Sequence, residues 1–208
     1  MPRPPSLVRN LARRVVSRAK RSLGVERAET LARPEIAFVL PLGEDAHNFM
    51  TQLQVEILRR HGVNDGLKAV PHITLKLGFK TPDLAVFADY LDEVAKSTPA
   101  FEITLRGISS FEEGIIFVDV EPSPELDQLR RRIVRELSER FQITPKPLED
   151  NRFHFHATLA YGLPQTVFEQ EIARLSPLKP SFCFEARTIA MLCHTGDHWI
   201  TYRLAALV

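Results

Sequence analysis

The sequence predicts an α+β fold in which one succession of strands and helices is laid down twice. Two observations predict it. Along residues 34–208 the apolar period alternates between that of a strand and that of a helix, giving the approximate order β-α-β-α-β-β-α-β-α-β-β. Each half also contains one apolar strand carrying the same polar device, a histidine and a threonine two residues apart: His72-Ile73-Thr74 in VPHITLKLGF and His156-Ala157-Thr158 in FHFHATLAYG. Helices in such a plan cover the outer faces of two sheets.

The elements follow in order. EIAFVLPL after Pro34 is a β-branched, apolar strand ending at a proline and Gly43. Residues 44–61 present Phe49, Leu53, Val55, Ile57 and Leu58 at helical spacing, and Gly62 with Asn64-Asp65-Gly66 ends the helix. The first histidine strand spans about 69–79. A helix from Pro82 to about Lys96 carries Leu84, Phe87, Ala88, Leu91 and Val94, with Pro82 in its first turn. FEITLRGISSF and GIIFVDVE, separated by Glu112-Glu113-Gly114, form a hairpin. Pro124 to Arg140 is a helix with Leu126, Leu129, Ile133, Val134 and Leu137 inward. TPKPLEDN leads to the second histidine strand at about 152–161, then a helix near 165–175 and strands near 182–193 and 198–207.

A chain of 208 residues, 44% hydrophobic and 25% charged, has the composition of a soluble globular protein large enough for a substantial core. No stretch approaches the ~20 apolar residues that span a bilayer. Cys183 and Cys193 lack metal-ligand spacing and sit in or near apolar runs, so buried free thiols in a reducing, cytoplasmic setting are expected rather than a disulfide. The formal charge of +1 hides an asymmetry: residues 1–33 hold nine Arg or Lys against two Glu, and the remainder is acidic. This divides the chain into a basic extension, 1–33, and one domain, 34–208. RNLARRVVSRAKRSLG suits a basic amphipathic helix, which leaves open an RNA-contacting arm, an anionic-membrane contact, an organellar transit peptide or a solvated extension.

The two histidine strings carry the chemistry. Residues i and i+2 share one face of a strand, so His72 points with Thr74, and His156 with Thr158, while Ile73, Leu75 and Leu77 turn to a core with Phe153, Phe155 and Leu159 behind the second string. Imidazole titrates near neutrality and serves as acid or base; the threonine hydroxyl supplies a donor on the same face. If the strands are regular, Lys76, Arg152 and His154 point with the histidines, and alternation on the last strand makes Arg203 a candidate phosphate contact. Phe79, Phe111, Tyr161 and Trp199 are candidates for stacking on a base.

Two H-x-T strings flanked by hydrophobics, one per half, resemble the signature of the 2H phosphoesterases, the superfamily of bacterial 2′-5′ RNA ligases and cyclic phosphodiesterases. The resemblance covers roughly residues 34–208. HITLKLGF departs from the longer H-x-T-L-x-F-L-G pattern of ligase-like members, with Lys76 in the middle and Phe79 after the glycine. The resemblance implies two pseudo-symmetric lobes, each an antiparallel sheet with outer helices, flanking a central cleft. It implies His72 and His156 as the acid–base pair and Thr74 and Thr158 as phosphate-binding hydroxyls, with no cofactor or metal. The implied reaction is hydrolysis of a 2′,3′-cyclic phosphate to a 2′-phosphate, or joining and cleavage of 2′-5′ linkages, on an RNA 3′ end or a small nucleotide, by a monomer.

Two other readings compete. His154, His156 and His72 could together give zinc three nitrogen ligands, although that leaves the threonines without a role. A non-catalytic nucleotide- or RNA-binding module, aided by the basic extension, is the other.

Overall fold

The computed structural model describes residues 33–111, 114–150 and 152–208. The basic helix expected within residues 1–33 lies outside the described residues, apart from Arg33. The elements are β1 (Glu35–Pro41), α1 (Glu44–His61), a 3-10 turn (Asp65–Lys68), β2 (His72–Lys80), α2 (Leu84–Ala95), β3 (Phe101–Phe111), β4 (Ile115–Val120), α3 (Pro124–Phe141), β5 (His156–Ala160), α4 (Gln165–Leu175), β6 (Ser181–Ala186), β7 (Thr188–His194) and β8 (Trp199–Ala206).

The strands run β6-β3-β4-β5-β2-β1-β7-β8, and every neighbouring pair is antiparallel. The order is two four-stranded halves set back to back, β5-β4-β3-β6 and β2-β1-β7-β8, with a histidine strand innermost in each. They join through the single register pair Ile73↔Ala157. This is the two-lobed α+β plan expected from the resemblance.

Alternation along the strands separates two faces. Ile36, Phe38 and Leu40 of β1 and Ile189, Met191 and Cys193 of β7 enter the main core with Phe87, Tyr90, Leu91 and Val94 of α2. Ala37, Val39, Ala190 and Leu192 turn to the opposite face, where Trp199 packs against them. Helices therefore cover one face, and the other is free to form a site.

Local chemistry sets the helix limits. Asp83 accepts from Ala85 and Val86 N–H, so α2 begins after that cap and Pro82 lies outside it. Ser123 caps Leu126 N–H with Pro124 in the first turn of α3. Gly62, at φ 74°, ends α1 in the left-handed region and donates its N–H to Leu58 O.

Three further expectations change. The strand expected at 182–193 is two strands, which break at Arg187 and join opposite halves of the sheet. The cue was in the sequence, where SFCFEA alternates and IAMLC is apolar throughout; the first alternates exposed and covered residues, and the second is buried throughout. The break also parts the cysteines: Cys193 is buried on β7, but Cys183 is exposed on the edge strand β6, and both thiols are free. Finally, β5 starts at His156, because Asp150 accepts from Arg152 N–H and Phe153 N–H bonds Asp150 O, closing a turn where strand was expected.

Candidate active site

The register between β2 and β5 builds the site. Ile73↔Ala157 are the middle residues of the two H-x-T strings, and antiparallel continuation sets His72 opposite Thr158 and Thr74 opposite His156. Ile73, Ala157, Leu75 and Leu159 are wholly buried, which anchors both strings from behind. His72, Thr74 and Thr158 line a cleft of about 200 Å³ together with Leu77, Gly78, Tyr161 and Trp199.

Both imidazoles are held in the same way. His72 Nδ1 lies 2.7 Å from Val70 O, and His156 Nδ1 lies 2.8 Å from His154 O, in each case the carbonyl two residues back. A carbonyl only accepts, so Nδ1 carries the hydrogen and Nε2 of the neutral ring is the free base. Burial lowers the proton affinity of both rings from the ordinary histidine value, and the carbonyl contact works against it; repulsion from His156 lowers His72 further.

Around this pair the surfaces differ. On the first half, Ala37 and Leu192 floor the cleft beside Trp199, whose ring packs 4.9 Å from that of His194. Gly78 admits the Trp199 ring: a Cβ there would come within 2.9 Å of it. On the second half, the rings of Phe111 and Phe117 pack 4.3 Å apart, and each lies 5.1 Å from the ring of His156. Phe79 is instead a core residue, edge-on to Phe38 and Phe87, and offers no stacking surface.

The basic residues expected beside the histidines are elsewhere. Lys76 is fully buried on the core side. Register shifts in the β1–β2 pairing, one of them between Phe38↔Lys76 and Val39↔Thr74, break the alternation. Lys76 Nζ bonds both Glu149 oxygens, at 3.0 and 2.7 Å, and Glu149 also accepts from Leu77 and Lys146 N–H, each at 2.7 Å. Leu77, expected in the core, is turned to the cleft by the same irregularity. Arg152 lies exposed in the turn before β5, paired with Asp150 at 2.7 Å. Arg203 faces the helices and holds Asp92 of α2 through two bonds, because a shift between Met191↔Arg203 and Leu192↔Thr201 puts Thr201 and Arg203 on opposite faces. His154 does reach the site, half exposed, with Nε2 2.7 Å from Asp119 Oδ1.

Three further groups shape the cleft. Asp119, the lone acid of β4, is the cross-strand partner of His156. Gln54, buried on α1, donates to Gly66 O and Thr158 O, while Asn64 donates to Gln54 O and Leu159 O. These bonds tie the 3-10 turn of the first half to the histidine strand of the second. Asp119 was visible as a single acid in an apolar strand; nothing in the sequence marked the Gln54–Asn64 tie, whose partners are about a hundred residues away. Among the described residues no three His, Cys, Asp or Glu side chains gather into a metal-holding group, and His154 Nε2 is engaged by Asp119.

Comparison with known proteins places this arrangement. The fold matches TT0787 of Thermus thermophilus with a TM-score of 0.59 at 18% identity, covering 83% of this chain and 97% of that one. A structure described as a phosphoesterase matches at 0.52, 15% identity, 85% and 99% coverage. E. coli LigT, crystallised with NADP+, matches at 0.55, 14% identity, 84% and 98% coverage. No curated protein matches by sequence. The family model of the 2′-5′ RNA ligase superfamily matches residues 42–198, a span that includes both H-x-T strings, and the chain belongs to that superfamily.

Proposed function

We propose that the protein is a metal-independent phosphodiesterase that opens a 2′,3′-cyclic phosphate, on an RNA end or a small nucleotide, to a 2′-phosphate. The observation that carries this reading is the Ile73↔Ala157 pairing, which sets two histidines of like tautomer and two threonines on one face of the sheet, with His72, Thr74 and Thr158 lining the cleft and His156 across from Thr74. One Nε2 takes the proton of the attacking water, the other ring gives a proton to the leaving O3′, and the threonine hydroxyls hold the phosphoryl oxygens as charge develops. The O–P bond to water forms as the O3′–P bond breaks, so a metal has no step to perform. Burial lowers the proton affinity of both rings, which keeps one Nε2 ready as the base, and the other ring takes up a proton on Nε2 before it can donate. The 200 Å³ cleft with Trp199 and Tyr161 suits a nucleoside rather than a duplex. E. coli LigT has been crystallised with NADP+ and with 3′-AMP, and a nucleotide ligand here fits the same reading.

Phosphorus NMR of the product from 2′,3′-cyclic AMP tests it. The 2′-phosphate alone is expected. A 3′-phosphate would overturn the regiochemistry, and an untouched cyclic phosphate beside a cleaved 2′-5′ dinucleotide would move the function to 2′-5′ linkages.

A further inference from the structure

Part of the cleft wall is built by residues that a regular strand would place otherwise. The H-x-T end of β2 pairs in step with β1, through Pro41↔His72, Leu40↔Ile73 and Val39↔Thr74. Between Val39↔Thr74 and Phe38↔Lys76, β2 advances two residues where β1 advances one. Between Phe38↔Lys76 and Ile36↔Phe79 it advances three where β1 advances two. Each extra residue is a bulge that inverts the alternation. Leu75 and Lys76 therefore both lie in the core, and Leu77 and Gly78 both line the cleft, where Gly78 admits the Trp199 ring. A regular strand would set Lys76 on the face of Thr74 and bury Leu77.

One side chain from a distant segment holds these bulges. Glu149, in the connector between α3 and β5, is buried against the core side of β2. Its Oε1 accepts the Leu77 N–H at 2.7 Å and Lys76 Nζ at 3.0 Å. Its Oε2 accepts Lys76 Nζ and the Lys146 N–H, each at 2.7 Å. The backbone of Glu149 is fixed in turn. Arg130 of α3, itself buried, donates Nη1 to Glu149 O and Nη2 to Asp150 O, each at 3.1 Å. In a regular strand Lys76 would turn to the cleft and leave this carboxylate buried without its cation, so Glu149 favours the bulged form.

We propose that Glu149 is a specificity-determining positioning residue. By holding the Leu77 N–H and Lys76 on the core side, it builds the apolar wall of Leu77, Gly78 and Trp199 against which the substrate's nucleoside lies. This inference rests on the reading above, that a nucleotide occupies the cleft. Among the described residues the cleft lining holds no lysine or arginine. Glu149 thus withholds Lys76 from the phosphate and offers the leucine to an uncharged base. His72 and Thr74 lie on the regular end of β2, before the bulges. Glu149 therefore acts on how the nucleoside is held and not on the proton transfers.

Two double variants, both without the buried ion pair, separate this role from a loss of stability. Lys76→Met with Glu149→Leu removes the acceptor of the Leu77 N–H, and Lys76→Met with Glu149→Gln keeps one. The first should raise KM for 2′,3′-cyclic AMP roughly tenfold and leave kcat within about twofold. The second should bring KM back toward the wild-type value. On ribose 2′,3′-cyclic phosphate, which carries no base, the two variants should share one KM. Equal KM on the cyclic nucleotide, or the same difference on the base-free substrate, would overturn the inference. Trp199 is the only tryptophan of the chain, so quenching of its emission by 2′-AMP reads binding without turnover. The variants should differ there by the same factor. If the wild type opens no cyclic phosphate but binds 2′-AMP, the functional reading fails, and the titration still decides the role of Glu149. A wild type whose emission 2′-AMP leaves unchanged would overturn the inference too.

Discussion

Ile73 and Ala157, the middle residues of the two H-x-T strings, are the pair through which the two halves of the sheet join. Both side chains are wholly buried. The pairing therefore fixes the histidines from the core side, and a larger residue at Ala157 should separate the strings. Ala157→Leu is expected to lower activity by more than it lowers stability, seen by comparing turnover with thermal unfolding.

The threonines hold phosphoryl oxygens in the proposed reaction. Thr74→Val and Thr158→Val keep the shape of the strand and remove one donor each. Each is expected to cost on the order of 10²-fold in kcat, as loss of a donor to a developing oxyanion does. Steady-state kinetics check this, and an unchanged kcat in both variants would remove the threonines from the reaction.

Lys76 and Glu149 are both buried and bonded to each other at 2.7 Å. Lys76→Met leaves a buried carboxylate without its cation and should cost about 3–5 kcal/mol. Adding Glu149→Leu should recover part of that loss, because the remaining unpaired groups are then the Leu77 and Lys146 N–H alone. Urea unfolding of the single and double variants measures it.

The pH dependence of stability follows from the histidines of the two H-x-T strings. Both are held below the ordinary histidine value by burial, so the unfolded chain binds protons more readily than the folded one. Stability from this source is full above the unfolded value, near 6.5, and declines as pH falls from there toward the folded values. A His72→Gln, His156→Gln double variant should flatten that part of the profile in denaturant melts across pH 4–8.

Much of the site was legible in the sequence, for a physical reason. Core packing alone rarely places a polar pair at spacing two inside an apolar strand, still less twice in one chain; His72, Thr74 and Thr158 line the cleft, and His156 lies across from Thr74. The neighbours failed where the same period was carried too far. Shifts in the register of β2 and β8 invert the alternation, which takes Lys76 into the core and Arg203 to the helix face. A turn capped by Asp150 removes Arg152 from the strand altogether. Irregularities of one residue depend on contacts between distant segments, such as Glu149 with the Leu77 N–H. The same distance hid the break at Arg187, which sends β6 and β7 to opposite halves of the sheet.

Turnover of 2′,3′-cyclic nucleotides in EDTA, with wild type, His72→Ala and His156→Ala side by side, tests the central claim most directly. Wild-type product that falls by roughly 10²–10⁴-fold in each variant, with folding intact by circular dichroism, is the result expected of a metal-free two-histidine site. Undiminished turnover in either variant, or wild-type activity abolished by EDTA and restored by zinc, would contradict it.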